Sequence, residues 1–239
     1  MLEEKQDLLS QVFDLHYAAW PRFMNENPDE HAFKVHTDLA DHQFVVCEPS
    51  DTVVAVGNTI PIVWDEASKE MPEGWTCSVA QGIDDYDNKR HVNTLVALAI
   101  VIAPTHLGRG LSAGMVLEMK KLAARKGYTR LIAPVRPTLK PKYSLIPMED
   151  YMKWTREDGE LLDPWLRIHV RIGGKIMGVC ERSMVIEGSV EQWEDWVQMK
   201  IKGSGKYIVE GALSPLVIDY EKNWGVYVEP NVWVSHSIP

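Results

Sequence analysis

Gly108 and Gly110 flank Arg109 directly after an apolar run, Leu95 to Ile102, that Pro104 stops. Beyond them Leu111, Met115, Met119 and Leu122 recur at helical spacing, and Gly127 follows as a terminator. A glycine turn that opens a helix leaves backbone N–H groups unpaired and partly positive, which is a natural seat for a phosphate or pyrophosphate. His169 is a second chemical candidate, because it falls in the middle of an apolar helix face. An imidazole there is either a hydrogen-bonded core residue or a proton donor working near neutral pH. The third candidate is the acidic stretch containing Asp84, Asp85 and Asp87, too polar to be core and able to attract a cation, or simply solvated.

These groups need elements to hold them. The run Leu95 to Ile102 reads as a central strand buried on both faces, and Arg130 to Val135 as a second strand, so strand, glycine turn, helix and strand make a βαβ unit. Around His169 the signals conflict. Leu166, Ile168, Val170 and Ile172 alternate with Arg167, His169 and Arg171, a period of two that says strand. Asp163 as N-cap, Pro164 at the first helical position and Gly173-Gly174 as terminator say helix, and we read a helix. Upstream, residues 6 to 20 carry an amphipathic helix ended by Pro21, and Asn27-Pro28-Asp29 opens a short helix to about Thr37. Gln43 to Glu48 and Thr52 to Ile62 form a hairpin across Pro49-Ser50-Asp51. Residues 63–93 read as a loop over the active site, 138–162 as an insertion covering the substrate side, with a short helix from Met148 to Trp154. Residues 175–239 read as closing strands at Lys175 to Val179, Met184 to Ile186, Tyr207 to Val209, Leu216 to Tyr220 and Val226 to Val228, with a short helix around Trp193 and Trp196.

The segment from Leu95 to Pro137 resembles motif A of the GNAT acyltransferases, whose Q/R-x-x-G-x-G/A loop binds the pyrophosphate of coenzyme A. The match lays that loop on Leu107, Gly108, Arg109, Gly110, Leu111 and Ser112, with Ala113 in the turn that follows. Leu107 stands where the family prefers Gln or Arg, and Ser112 where it prefers Gly or Ala. The resemblance implies a single α/β domain over 1–239, a mixed but mostly antiparallel sheet with two splayed strands, flanked by helices. It implies acetyl-CoA or another acyl-coenzyme A as cofactor, with main-chain groups of Ile100, Val101 and Ile102 pairing with the pantetheine, and direct attack by a small amine. His169-x-x-x-Gly173-Gly174 takes the place of the family's Tyr-x-x-x-Gly-Phe, so the resemblance makes His169 the acid that protonates the thiolate, with Tyr143 or Tyr151 as alternatives. The strand carries no carboxylate, and the nearest proton acceptors are Asp84, Asp85 and Asp87 with Asn93 at the strand's mouth. Asp84, Asp85, Arg136 and Trp165 are placed on the substrate side.

Composition narrows the partners. The formal net charge is −9 and the pI about 5.4, which argues against a nucleic-acid partner. Residues 1 to 90 carry a balance of −12 and the remainder +3, so an acidic lip would draw in a cationic amine if the acceptor side lies on the first segment. Cys47, Cys77 and Cys180 form no C-x-x-C pair, consistent with a reducing, cytoplasmic setting. No stretch approaches the ~20 apolar residues of a membrane span, and no His/Cys spacing predicts a metal. Two of the closing strands could form a homodimer interface. The rival readings are a coenzyme A-binding protein without catalysis, and a dinucleotide enzyme, which the missing third glycine disfavours.

Overall fold

In the computed structural model, residues 1–26, 31–65 and 70–238 are described. Among them eight strands share one sheet: β1 Phe44–Cys47, β2 Val53–Ile62, β3 Thr94–Ile102, β4 Arg130–Val135, β5 Lys175–Gly188, β6 Gly205–Tyr207, β7 Leu216–Asp219 and β8 Trp224–Ser237. The strand order is β1-β2-β3-β4-β8-β7-β6, with β5 paired to β8 as well. The β3–β4 pairing is parallel and the others are antiparallel. The helices are α1 Leu9–Ala19, α2 Arg22–Asn25, α3 Ala32–Thr37, α4 Trp75–Asp87, α5 Leu111–Arg125, α6 Met148–Tyr151, α7 Pro164–Arg171 and α8 Val190–Val197.

Burial on two faces explains the unbroken apolar run of β3. Leu95, with Leu131 of β4, packs against Met115, Val116, Met119 and Leu122 of α5. Val96 and Leu98, with Ile132, pack on the opposite face against Val35 and Leu39 and against Val79 and Ile83 of α4. Each such side chain contributes about 1.5–3 kcal/mol through removal from water. Alternation across the pleat thus serves two apolar layers at once, which only a central strand requires. The elements of the βαβ unit and the helix at Pro164 stand where the sequence places them, and Asp163 accepts from the N–H groups of Trp165 and Leu166 as the N-cap.

Three readings are corrected. Residues 63–93 do not form a loop throughout: Trp75, Val79 and Ile83 repeat every fourth residue and build α4, whose Gly82 lies so close to β2 that a Cβ would sit 2.3 Å from Ile60. The insertion 138–162 contributes no residue to the large cavity described below; Met148 and Tyr151 of α6 are instead buried with Leu166, Leu213 and Val232, while most of the segment is exposed or half-buried. The closing strand is also far longer than Val226 to Val228; Pro230 interrupts the pattern without ending the strand, because among the described residues β8 has no ladder partner on its β4/β7 side between Val226 and Val232. The start of the predicted second helix, Asn27-Pro28-Asp29, lies outside the described residues.

Candidate active site

β3 and β4 are paired only at Thr94↔Arg130, Leu95↔Leu131 and Val96↔Ile132, and then part. From Ala97 to Ile102 the β4-facing edge of β3 has no strand against it among the described residues. At the mouth of this V, β3 is bulged: Asn58 of β2 faces Ala99 and Thr59 faces Ala97, so Leu98 has no partner. A bulge aims consecutive residues to one side, and here Leu98 and Ala99 both line one cavity. The Leu98 carbonyl, released from the ladder, accepts from Trp75 Nε1 at 3.0 Å.

The cavity measures about 880 Å³ and lies under α1, α3 and α4, with β3, β4, β5 and β8 as its floor. Its wall is aromatic at α1, from Tyr17 and Trp20, and at Trp75. Among its polar groups, one network is fixed by backbone. Gln43 Nε2 donates to the carbonyls of Leu39 and Thr59, so Gln43 Oε1 must be the acceptor for the Thr59 N–H and for Asn58 Nδ2. Asn58 Oδ1 therefore accepts from His16 Nε2 at 2.7 Å, and His16 Nδ1 accepts from Trp20 Nε1 at 3.2 Å. His16 is held as the Nε2–H tautomer. Burial, then the neighbouring His36, lowers its pKa to about 4, so it adds no positive charge to the cavity near neutrality.

The other polar wall is an ion pair. Arg136, the residue after β4, donates from Nε to both oxygens of Glu229, each at 3.1 Å, and from Nη2 to the Gly211 carbonyl at 2.5 Å. Glu229 is 2 % exposed and also accepts from Tyr227 Oη at 2.8 Å and Asn231 Nδ2 at 3.3 Å. A carboxylate so deep in the sheet needs this many donors to remain there.

The glycine turn has the form expected of an anion seat. Gly108 and Gly110 take φ of +75° and +77°, and Gly110 caps α5, so Leu111, Ser112 and Ala113 begin the helix. Nothing stands within 4 Å of the Cβ position of either glycine, which leaves the backbone open to close approach. Leu107 and Arg109 are exposed beside it, and Ile100, Val101 and Ile102 lead toward it along the open edge of β3.

Of the other site residues expected from sequence, only Arg136 reaches the cavity. Asp85 is buried and spent on the Val63 N–H and Arg90; Asp84 pairs with Arg90 and Asn88, and Asp87 with Lys34. They lie at the C-terminal end of α4, where the turn into Arg90 consumes them. Asn93 clasps the Trp64 backbone in both directions, at 3.0 and 2.9 Å, at the start of β3. That is five residues, about 16 Å, from Leu98. Tyr143 packs on Tyr151 and Trp154 in the insertion. Trp165 lies 4.5 Å, centroid to centroid, from His169, and His169 is 2 % exposed against His236. None of these lines the cavity. Sequence reasoning missed His16, Asn58, Trp75 and Glu229; the signals available were an Asn inside the apolar run of β2 and a lone Glu inside that of β8.

The arginine N-acetyltransferase avaD of Aspergillus versicolor is 31% identical to this chain, over 98% of it and 91% of that protein. The chain belongs to the GNAT N-acetyltransferases. No protein-family model matches the enzyme. Among solved structures, the loading GNATL domain of CurA from Lyngbya majuscula superposes with a TM-score of 0.64 at 20% identity, covering 97% of the enzyme and 94% of that chain. A GphF GNAT-like decarboxylase in complex with isobutyryl-CoA gives 0.61 at 14%, covering 98% and 96%. At these identities both show the fold, a mixed open sheet between helices. Among the described residues no helix is long and apolar enough to cross a membrane, and no group of three metal-ligating side chains occurs.

Proposed function

We propose that the enzyme transfers an acetyl group from coenzyme A to the amine of a small molecule held in the cavity, with arginine as the first acceptor to try. The supporting observation is the continuity of the V between β3 and β4 with the cavity: Leu98 and Ala99 on one arm and Pro134 and Arg136 on the other border the same space. Gly108 to Ala113 would hold the pyrophosphate on backbone N–H groups at the α5 N-terminus, and the open edge from Ala97 to Ile102 would pair with the pantetheine amides. Coenzyme A, when bound, supplies an activated thioester. The chain's part is to orient the amine against the bulge at Leu98, where a backbone N–H on the open edge of β3 would polarise the thioester carbonyl. Tyr17, Trp20 and Trp75 exclude water from the acceptor and His16 stays neutral beside it. The choice of arginine draws on the name of the A. versicolor relative.

The test is incubation of the enzyme with acetyl-CoA and L-arginine, following free thiol and acetylated product by mass spectrometry. Arginine-dependent release of thiol with matching product is the expected result. Tight coenzyme A binding without transfer to any amine would instead favour a non-catalytic binding protein.

A further inference from the structure

From the anchored guanidinium in the cavity wall we infer that the acceptor is an α-amino acid, gripped by its carboxylate at Arg136 and acetylated on its α-nitrogen. The inference rests on reading the cavity as the acceptor site and deepens it.

Among the described residues that line the cavity, Arg136 is the one Lys or Arg. Its guanidinium is fixed on two sides, by Glu229 through Nε and by the Gly211 carbonyl through Nη2. Of five N–H donors, those on Nη1 and the second on Nη2 have no partner among the described residues, and Nη1 is not among the buried atoms that lack one. Nη1 is therefore not buried without a partner, and because Arg136 lines the cavity its unspent donors are available to a ligand there. A planar fork with two free prongs matches a carboxylate, and its rotamer is already set, so little side-chain entropy remains to be lost on binding. Glu229 is the positioning residue: it holds Nε, and is itself held by Tyr227 and Asn231.

Register decides which nitrogen reacts. Arg136 follows β4 directly, and Pro134, two residues before it, lines the same cavity at the arm of the V. In an α-amino acid the nitrogen is two bonds from the carboxyl carbon, so a carboxylate on Arg136 keeps the α-amino group beside the V and sends the side chain outward. The same cavity is lined by Tyr17 and Trp20, and by Asp14, an exposed carboxylate of α1 for which no hydrogen bond or ion pair is found among the described residues. Aromatic faces and an acid suit a cationic side chain.

The test compares L-arginine with agmatine, its decarboxylated counterpart, by calorimetric binding and by acetyl transfer from acetyl-CoA. The parent enzyme is expected to bind L-arginine at least tenfold more tightly than agmatine. Arg136→Met should abolish that preference by weakening L-arginine alone, and Arg136→Lys should restore part of it. Glu229→Gln should raise KM for L-arginine with little change in KM for acetyl-CoA. Melting temperature and coenzyme A affinity report folding of each variant. Equal binding of the two ligands by the parent overturns the inference, as does an Arg136→Met variant that stays folded and loses both ligands equally, or a product acetylated on the guanidino group. Preference for L-arginine without any acetyl transfer would uphold carboxylate recognition while removing the acetyltransferase reading.

Discussion

His169 Nδ1 and His236 Nε2 lie 3.0 Å apart inside the protein, and neither outer ring nitrogen has a partner among the described residues. A pair so arranged serves packing between α7 and β8, away from the cavity. His169→Phe should leave kcat near the parental value and lower stability by about 1–3 kcal/mol, because His236 loses its buried partner. Replacing both histidines by apolar residues should recover part of that loss. Urea denaturation beside steady-state kinetics checks this. A fall in kcat of roughly 10²–10⁴-fold with an unchanged midpoint would return His169 to the role of proton donor.

The same pair sets an acid limit. Burial, then His236, lowers the pKa of His169 to about 3; burial, then Lys120, lowers that of His236 to about 4. The unfolded chain, with histidines near 6.5, binds protons that the folded chain refuses. Stability should be complete above pH 6.5 and decline as pH falls toward 4, steepening to roughly 1.4 kcal/mol per pH unit for each histidine. Denaturation midpoints taken from pH 7 to pH 5 should fall, and the slope should be shallower in the variant lacking both rings.

Asp163 has four hydrogen-bond donors. It caps α7 at Trp165 and Leu166, and its other oxygen accepts from the Leu139 N–H and Tyr151 Oη, both at 2.9 Å. Asp163→Ala should cost about 2–4 kcal/mol, a lost cap together with orphaned buried donors. Asp163→Asn, which keeps an acceptor oxygen, should cost less. Thermal unfolding of the two variants gives the comparison.

Gly110 separates backbone strain from charge. Its φ of +77° is one that Asn tolerates and Ala resists. Gly110→Asp should weaken coenzyme A at least tenfold, about 1.4 kcal/mol, since it also sets a carboxylate beside the phosphate seat; Gly110→Asn should lose clearly less. Equal affinities for parent and Asp variant by calorimetry would remove the turn from the cofactor site.

The parts of the molecule that were legible in the sequence are those where one local signal decides the element. The βαβ unit rests on an apolar run, two glycines and a helical repeat, and α7 on Asp163, Pro164 and Gly173. The cavity was not legible, because its groups come from α1, α3, α4, β2, β4 and β8, and a strand bulge such as that at Leu98 has no residue signature of its own. His169 shows the converse: it lies on the helix that Asp163 and Pro164 announce, yet what the ring does there depends on His236, 67 residues away. The acids at 84, 85 and 87 looked available because their partners, Arg90, Asn88, Lys34 and the Val63 N–H, are chosen by the turn of α4.

Strand β8 comes later in the chain than every strand it pairs with. During synthesis β4, β5 and β7 must wait with bare edges until it emerges from the ribosome, and bare edges invite pairing with other nascent chains. Arg136 waits too, since Glu229 lies 93 residues downstream. Contacts of this span close slowly, so the enzyme's yield in the cell should depend on chaperones that shield those edges, more than its final stability would suggest.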